Sequence, residues 1–251
     1  MKNAENIQPE KHSPSHGWTD IHGHILPKTD DGAADWDIAQ NMLEMSYAQG
    51  VRTIIATPHY SPSQDVGRLR ETCERLNERA KEIFEDLHIL LGQEIMYFEE
   101  LPEHLATGRA LTLADSRYVL VEFRPSDSYG KLSRVVRQLL QASYLPVIAH
   151  AERYACLLEP EKMAGLIHDG GYIQMNAGSL KGGFLDKRAA WCRRAVSKGE
   201  VHFLATDMHD ISRRPPNLGQ AEIWLEKHGG RRLAEKLLQR NQEHILGDTV
   251  L

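Results

Sequence analysis

No run of about 18 apolar residues occurs in the 251-residue chain, which excludes a membrane-spanning helix. The amino terminus, MKNAENIQPEKHSPSHG, lacks the apolar core of a secretory signal, so export is not expected. It is polar and carries two prolines, so residues 1–17 read as a mobile extension and residues 18–251 as one domain. Cysteine is scarce. Cys73, Cys156 and Cys192 are widely spaced and odd in number, which suits reduced thiols in a cytosol better than a disulfide framework. An excess of positive charge is also missing: the formal net charge is −5, so no basic footprint for nucleic acid is present. No low-complexity tract and no interdomain linker follow residue 17. What remains, 41% apolar and 26% charged residues, is an ordinary globular composition. The length allows one large α/β barrel or two small domains.

The chain is organised around Trp18–Gly32, WTDIHGHILPKTDDG. Asp20, His22 and His24 are spaced by two in a short strand-like run, so they are expected to share a face. Two neutral imidazoles on one face can share a metal ion, with carboxylates nearby to supply charge. Pro27 ends the strand, and Asp30-Asp31-Gly32 marks a turn rich in oxygen donors. Alone, His-x-His fits two half-buried core histidines equally well.

The rest of the chain alternates strands and helices. Asp35 is a plausible N-cap, with Ile38, Met42 and Met45 at helical spacing and Gly50 as the stop. VRTIIAT, residues 51–57, reads as a buried strand that runs into Pro58-His59. Leu69, Cys73, Leu76, Ala80, Phe84 and Leu87 form the stripe of a long amphipathic helix. Further strands are expected at 88–93, 118–121, 145–149, 172–175 and 202–205. Helices are clearest at 132–142, 161–168 and 187–198, and a last one at 220–242 is interrupted at Gly229-Gly230. Such alternation predicts a parallel sheet with right-handed crossovers. Nearly every strand is followed by a polar or metal-competent residue. An open sheet would spread seven strand ends over roughly 30 Å, whereas a closed barrel converges them on one face. The expectation is therefore an α/β fold with a seven-stranded (β/α) barrel.

The candidate ligands are His22, His24, Asp31, His59, Glu94, Glu122, His150, Asp207 and His209. Any one of them is more easily read as structural, but nine at strand ends are hard to dismiss. They exceed what one ion can use, so two or three ions and a bridging carboxylate are expected. The set has no cysteine, which suits manganese, iron or zinc in a hydrolytic site. Such a cluster lowers the pKa of a water and neutralises a phosphoryl group under attack. Arg153 and Arg214 are placed to grip a phosphate, a planar fork that stays charged, although a solvated or carboxylate-paired arginine fits their positions too. Tyr60, Tyr97, Phe98 and Tyr129 lie just past strand ends, where an aromatic phosphoester could stack. Cys73–Arg79 matches Cys-x5-Arg, the signature of cysteine-dependent tyrosine phosphatases. It lacks glycine and has helical periodicity, so the match reads as chance.

With these residues in hand, the chain resembles the PHP superfamily (polymerase and histidinol phosphatase). Within it, the chain is similar to the manganese-dependent protein-tyrosine phosphatases of bacterial capsule and exopolysaccharide loci. The matching segments are DIHGHILPKTDDGA, QGVRTIIATPHY, GQEI, LVEF, PVIAHAERY, QMNAGSLKG and ATDMHDISRRPP, spanning Asp20 to Pro216. The resemblance implies a distorted seven-stranded PHP barrel with three metals. It implies a first metal on His22, His24, Glu94 and Asp207, and a second that Glu94 bridges to and Glu122 and His150 complete. A third would sit on Asp31, His59 and His209, with Arg153 and Arg214 on the phosphate. The implied partner is the tyrosine-rich tail of a membrane-bound bacterial tyrosine autokinase, met in the cytoplasm. Departures are Gly23 between the histidines, Ala151 where proline is usual, and residues 1–17, which have no counterpart. The rivals are a histidinol-phosphate phosphatase, a PHP-type nuclease, and a catalytically silent metal module that only binds the kinase tail.

Overall fold

The computed structural model describes residues 17–183 and 185–251. Of the expected N-terminal extension, residues 1–16 lie outside the described residues. The strands form two parallel sheets. The first holds β1 (Trp18–Gly23), β2 (Val51–Ala56) and β3 (His88–Leu91). The second holds β4 (Glu94–Met96), β5 (Tyr118–Glu122), β6 (Leu145–Ile148), β7 (Tyr172–Asn176) and β8 (Phe203–Ala205). Helices α1 (Trp36–Ala48), α2 (Val66–Ile83), α3 (Leu101–Ala106), α4 (Tyr129–Gln141), α5 (Lys162–His168), α6 (Lys187–Ser197), α7 (Leu218–Glu235) and α8 (Asn241–Leu246) complete the order. None among the described residues is long and apolar enough to cross a membrane.

The helix starts follow the chain's capping chemistry. Asp35, Asp65, Ser128 and Asp186 each accept a backbone N–H three residues on, which satisfies a donor that the first helical turn leaves free. The face that α1 buries is Ala39, Met42, Leu43 and Ser46, rotated from the expected Ile38-Met42-Met45 stripe. On α2 the expected Leu69, Cys73, Leu76 and Ala80 are buried, but the helix stops at Ile83. The last helix breaks where expected, at Gly230 with φ 74°.

Alternation along the strands divides the core in two. Ile21, Ile55, Leu120, Val147, Phe203 and Ala205 pack in one cluster with Leu113, Tyr118 and Ile245. Their neighbours Ile54, Ala56, Val119, Val121, Ile148 and Leu204 pack in another with helix residues such as Met42, Leu76, Leu132 and Leu225. The period of two is what a sheet covered on both faces requires.

One expected strand, 88–93, is broken. β3 pairs with β2, the chain leaves the ladder at Gly92-Gln93, and β4 pairs with β5. A Cβ on Gly92 would sit 2.9 Å from the Leu113 side chain and 3.2 Å from Ile55, so a larger residue would force the packing at this crossing to shift. The Gln93 side chain accepts the Leu111 N–H at 2.9 Å and donates to Gln64 at 2.7 Å. Eight segments therefore stand where seven strands were expected. Isolated parallel bridges join Gly23 of β1 to Met208 past β8, and His59 past β2 to Glu94 of β4.

Candidate metal centre

The nine expected donors meet in one place, eight of them at or past the carboxyl-terminal end of a strand. His22 is the last residue but one of β1, Glu122 ends β5, and His59, His150 and Asp207 follow β2, β6 and β8. Glu94 differs from expectation: it opens β4, carried inward by the break at Gly92. Its Oε2 lies 3.2 Å from His22 Nε2, His24 Nε2 and His59 Nδ1. Its Oε1 lies 2.7 Å from His150 Nε2, which is 3.5 Å from Glu122. On the far side of the two first histidines, Asp207 Oδ1 lies 3.4 Å from His22 and 3.6 Å from His24. Asp31 Oδ1 faces His59 and His209 at 3.4 and 3.5 Å.

Three groups of donor atoms are each close enough to surround a cation. They are His22-His24-Glu94-Asp207, His24-Asp31-His59-His209 and His59-Glu94-Glu122. His24 and His59 each fall in two groups, so the donors form one continuous cluster with Glu94 near its middle. Asp20 does not join it. A register shift between Asp20 and Gly23 breaks the strict alternation expected of β1. Asp20 instead accepts hydrogen bonds from the Thr206 N–H (3.0 Å) and hydroxyl (2.5 Å), and burial pushes its carboxyl up to about 6.

The imidazoles are held by partners that sequence reading missed. His24 Nδ1 lies 2.7 Å from Asp30, His22 Nδ1 3.3 Å from Gln174, His150 Nδ1 3.3 Å from the Tyr154 hydroxyl, and His209 Nδ1 3.0 Å from the Asp207 carbonyl. A proton held on Nδ1 leaves Nε2 as the free donor, which is how metal-binding histidines are oriented. Asp30 also accepts the N–H of His59 and Gly32. Gly32 permits this: a Cβ there would meet the His24 carbonyl at 2.1 Å. Two donors sit in left-handed backbone, His150 at φ 32° and Asp207 at φ 54°, conformations a chain keeps only when its surroundings enforce them.

Electrostatics show a site short of positive charge. Burial opposes a proton on His24, yet Asp30 and Glu94 hold its pKa up at about 10. Burial likewise opposes one on His150, and Glu122 and Glu94 lift it to about 9. Glu94 is itself held well below its ordinary range by His22 and His150 despite burial. His209 goes the other way, down to about 4, because burial and the neighbouring His24 and Arg214 disfavour its charge. Its Nε2 is buried without a hydrogen-bond partner, as is Asp207 Oδ1, although the Arg214 guanidinium lies 2.6 Å from that oxygen. An orphaned imidazole nitrogen in a ring of nitrogen and oxygen donors fits a metal ligand and is costly otherwise. The residues present thus fit a multinuclear site without thiolate.

Both arginines reach the cluster, but they are paired with a carboxylate. Arg153 donates to Asp207 Oδ2 at 2.5 Å, and Arg214 lies beside Oδ1. Arg153 leaves a short turn whose Glu152 accepts the Asn176 N–H and the Ser179 hydroxyl. Arg214 is held by a loop folded over Asp210, which accepts the N–H groups of Ser212, Arg213 and Arg214. The aromatics expected at the mouth serve packing. Tyr97 is buried, with its hydroxyl on Glu99 and Gln138. Tyr60 stacks on Phe98 with its hydroxyl on His104, and Tyr129 lies under Lys162. Cys73 is buried on α2, with its thiol pushed up to about 12 by burial and Glu74, and Arg79 stacks on Trp36.

Comparison with known proteins agrees with this geometry. Tyrosine-protein phosphatase YwqE of Bacillus subtilis is 37% identical over 232 residues, covering 90% of this chain and 91% of the relative. Tyrosine-protein phosphatase CpsB of Streptococcus pneumoniae is 35% identical over 247 residues, covering 92% and 99%. A crystal structure from work on these two proteins, described as unique metal-dependent tyrosine phosphatases, superposes with a TM-score of 0.85 at 34% identity, covering 93% of this chain and 96% of that one. A phosphotriesterase homology protein of Escherichia coli, at 12% identity and a TM-score of 0.56 over 92% and 98% of the two chains, shares the fold alone. The family described as capsular polysaccharide synthesis, CpsB/CapC, matches residues 18–247, and this chain belongs to it.

Proposed function

We propose that this chain is a metal-dependent protein-tyrosine phosphatase of capsule or exopolysaccharide synthesis. Its scaffold is a distorted seven-stranded β/α barrel, with β3 and β4 as two halves of one strand; the bridge from β1 to the segment past β8, and the one by which the segment past β2 pairs with β4 as β2 does with β3, support this. The observation that carries the reading is the convergence of nitrogen and oxygen donors from nine residues in one cluster with Glu94 near its middle, and two arginines at its edge. His22, His24, Glu94 and Asp207 would hold one ion, Glu94, Glu122 and His150 a second, and Asp31, His59 and His209 a third. Mn2+ suits donors without thiolate, and iron or zinc is the alternative. When bound, the ions supply a water reactive at neutral pH and positive charge for the phosphoryl oxygens.

The chain's own residues do the rest. Arg153 and Arg214 bind phosphoryl oxygens through the N–H groups not turned to Asp207, and Asp207 keeps both forks aimed at one point. Buried His22, His24, Glu94 and His150 form the floor of the site. No cysteine nucleophile takes part, because Cys73 lies in the core as a neutral thiol. The protein substrate is the phosphotyrosine tail of a membrane-bound tyrosine autokinase, met in the cytoplasm. The family's place in capsule synthesis and the well-separated cysteines support that setting.

The test is a substrate comparison with Mn2+ present. The kcat/KM on a kinase-tail phosphotyrosine peptide is expected to exceed that on histidinol phosphate by at least about tenfold, a barrier difference near 1.4 kcal/mol, with negligible cutting of single-stranded DNA. Preference for histidinol phosphate overturns the substrate, efficient DNA cleavage favours a nuclease, and no turnover of any favours a silent binding module.

A further inference from the structure

Beside the metal centre lies a hollow of about 480 Å3, lined among others by Pro125, Arg153, Leu158, Lys187, Arg188 and Trp191. It is continuous with the proposed catalytic machinery, because Arg153 spans the two: one face lines the hollow and its guanidinium bonds Asp207. Its wall is apolar, formed by Trp191 of α6 with Pro125 and the exposed Leu158. Its charge is positive. Lys187 and Arg188 open α6, and among the described residues neither has a carboxylate within salt-bridge distance. The acidic residue on the wall, Glu152, is buried: its Oε1 accepts from Asn176 and Ser179, while its Oε2 is buried without a hydrogen-bond partner, so one carboxylate stands against the cations of Lys187 and Arg188. Past Trp191 and Leu158 a second hollow of about 120 Å3 is of mixed charge, with Glu159, Glu161 and Glu200 beside Arg194 and Lys198. The aromatics expected at the mouth are occupied in packing, and among the described residues lining this hollow Trp191 is the aromatic.

We infer that this hollow is a subsite for the chain flanking the phosphotyrosine, resting on the phosphatase reading above. It takes an apolar side chain against Trp191 next to an acidic side chain that faces Lys187 and Arg188. An apolar wall contributes affinity by area, and an unpaired cation at its rim selects the sign of what approaches. A phosphotyrosine with a basic flank meets like charge at the same place. The subsite thus supplies sequence preference, which the metals and arginines cannot, since they contact only the phosphate.

The experiment uses the Mn2+-loaded full chain and three substrates: free phosphotyrosine, a phosphotyrosine peptide flanked by Asp, Glu and Phe, and the same peptide with Lys in place of the acids. The wild type is expected to favour the acidic peptide over the basic one by about tenfold in kcat/KM. Lys187→Glu should erase or invert that preference through KM, with kcat and the turnover of free phosphotyrosine unchanged. Trp191→Ala should raise KM for both peptides and not for free phosphotyrosine. Arg188 is left intact because it donates to the Glu152 carbonyl at 3.2 Å and so supports the turn that carries Arg153. Should Trp191→Ala fail to fold, the surface change Lys187→Glu decides alone. An unchanged preference in Lys187→Glu, or an equal loss on free phosphotyrosine, overturns the subsite. A wild type that turns over no phosphotyrosine at all overturns the phosphatase reading instead.

Discussion

Asp30 accepts the His24 Nδ1 proton at 2.7 Å, and this contact decides which nitrogen His24 turns toward the cluster. Asp30 is not among the implied ligands, yet its carboxyl is held at about 2: burial opposes ionisation, and His24 and the His59 N–H outweigh it. Removing it frees the imidazole to rotate and loosens the turn that carries Asp31. Asp30→Ala is expected to weaken metal binding by roughly 10–100-fold, the usual cost of losing the partner that orients a ligating histidine. Titration of the metal-free protein with Mn2+ reads this directly. An unchanged affinity would show that His24 is fixed by its backbone alone.

Glu94 and Asp31 are both carboxylate donors, but their settings predict unequal losses. The Glu94 side chain is 1% exposed and touches four histidines, whereas that of Asp31 is 65% exposed and touches two. Glu94→Ala leaves histidines facing a void in the middle of the cluster, and solvent can fill the place of Asp31. Chelation should abolish phosphatase activity and Mn2+ restore it. With Mn2+ present, Glu94→Ala should lower kcat/KM by roughly a thousandfold, about 4 kcal/mol, and Asp31→Ala by about tenfold to a hundredfold. Full activity in the metal-free wild type would defeat the reading as a whole.

The Cys-x5-Arg match offers a sharp contrast of mechanisms. With its thiol pushed up to about 12, Cys73 carries almost no thiolate at neutral pH. Cys73→Ser should leave kcat within about threefold and reduce stability modestly, since a hydroxyl replaces a small apolar group on a buried stripe. A thousandfold fall in kcat of a folded Cys73→Ser protein, or a trapped phosphocysteine, would put the nucleophile back on sulfur.

Much of this centre was legible because strand and helix alternate regularly, so a polar residue just past each apolar run could be assigned to a common face. Eight of the nine donors end or follow the strand that the pattern gave them. Glu94 was assigned to the right neighbourhood for an incomplete reason: the pattern ran one strand through Gly92, and close packing against Leu113 and Ile55 breaks it there. The partners behind the histidines were not legible. Gln174 reaches His22 across 152 residues, and its one signal was a polar residue inside a buried strand, which burial makes costly unless it is bonded. Asp30 and Asp31 are adjacent, and only the fold of the turn tells which holds His24 and which joins the cluster. Trp191 carries no sequence signal of a site, since a tryptophan inside an amphipathic helix is as easily core.

His202 lies away from the metal centre and gives the protein a separate response to acid. It sits just before β8, where its Nδ1 accepts the Ile173 N–H at 3.0 Å, so the ring must be neutral at that nitrogen. Burial and, after it, Lys236 lower its pKa from 6.5 to about 4. On acidification the unfolded chain therefore takes up this proton first, near pH 6.5, and the folded chain only near pH 4. The contribution of His202 is fully present above pH 6.5 and is lost as pH falls toward 4. The loss should be on the order of 1–3 kcal/mol across that window. His202→Gln keeps an acceptor in reach of Ile173 without the titration. The variant should be less stable than the wild type at pH 7.5, and the difference should shrink or reverse near pH 4.5. Denaturant unfolding of both metal-free proteins at a series of pH values measures it. Parallel curves through pH 6.5 would show that the His202 ring escapes its pocket and titrates as in the unfolded chain.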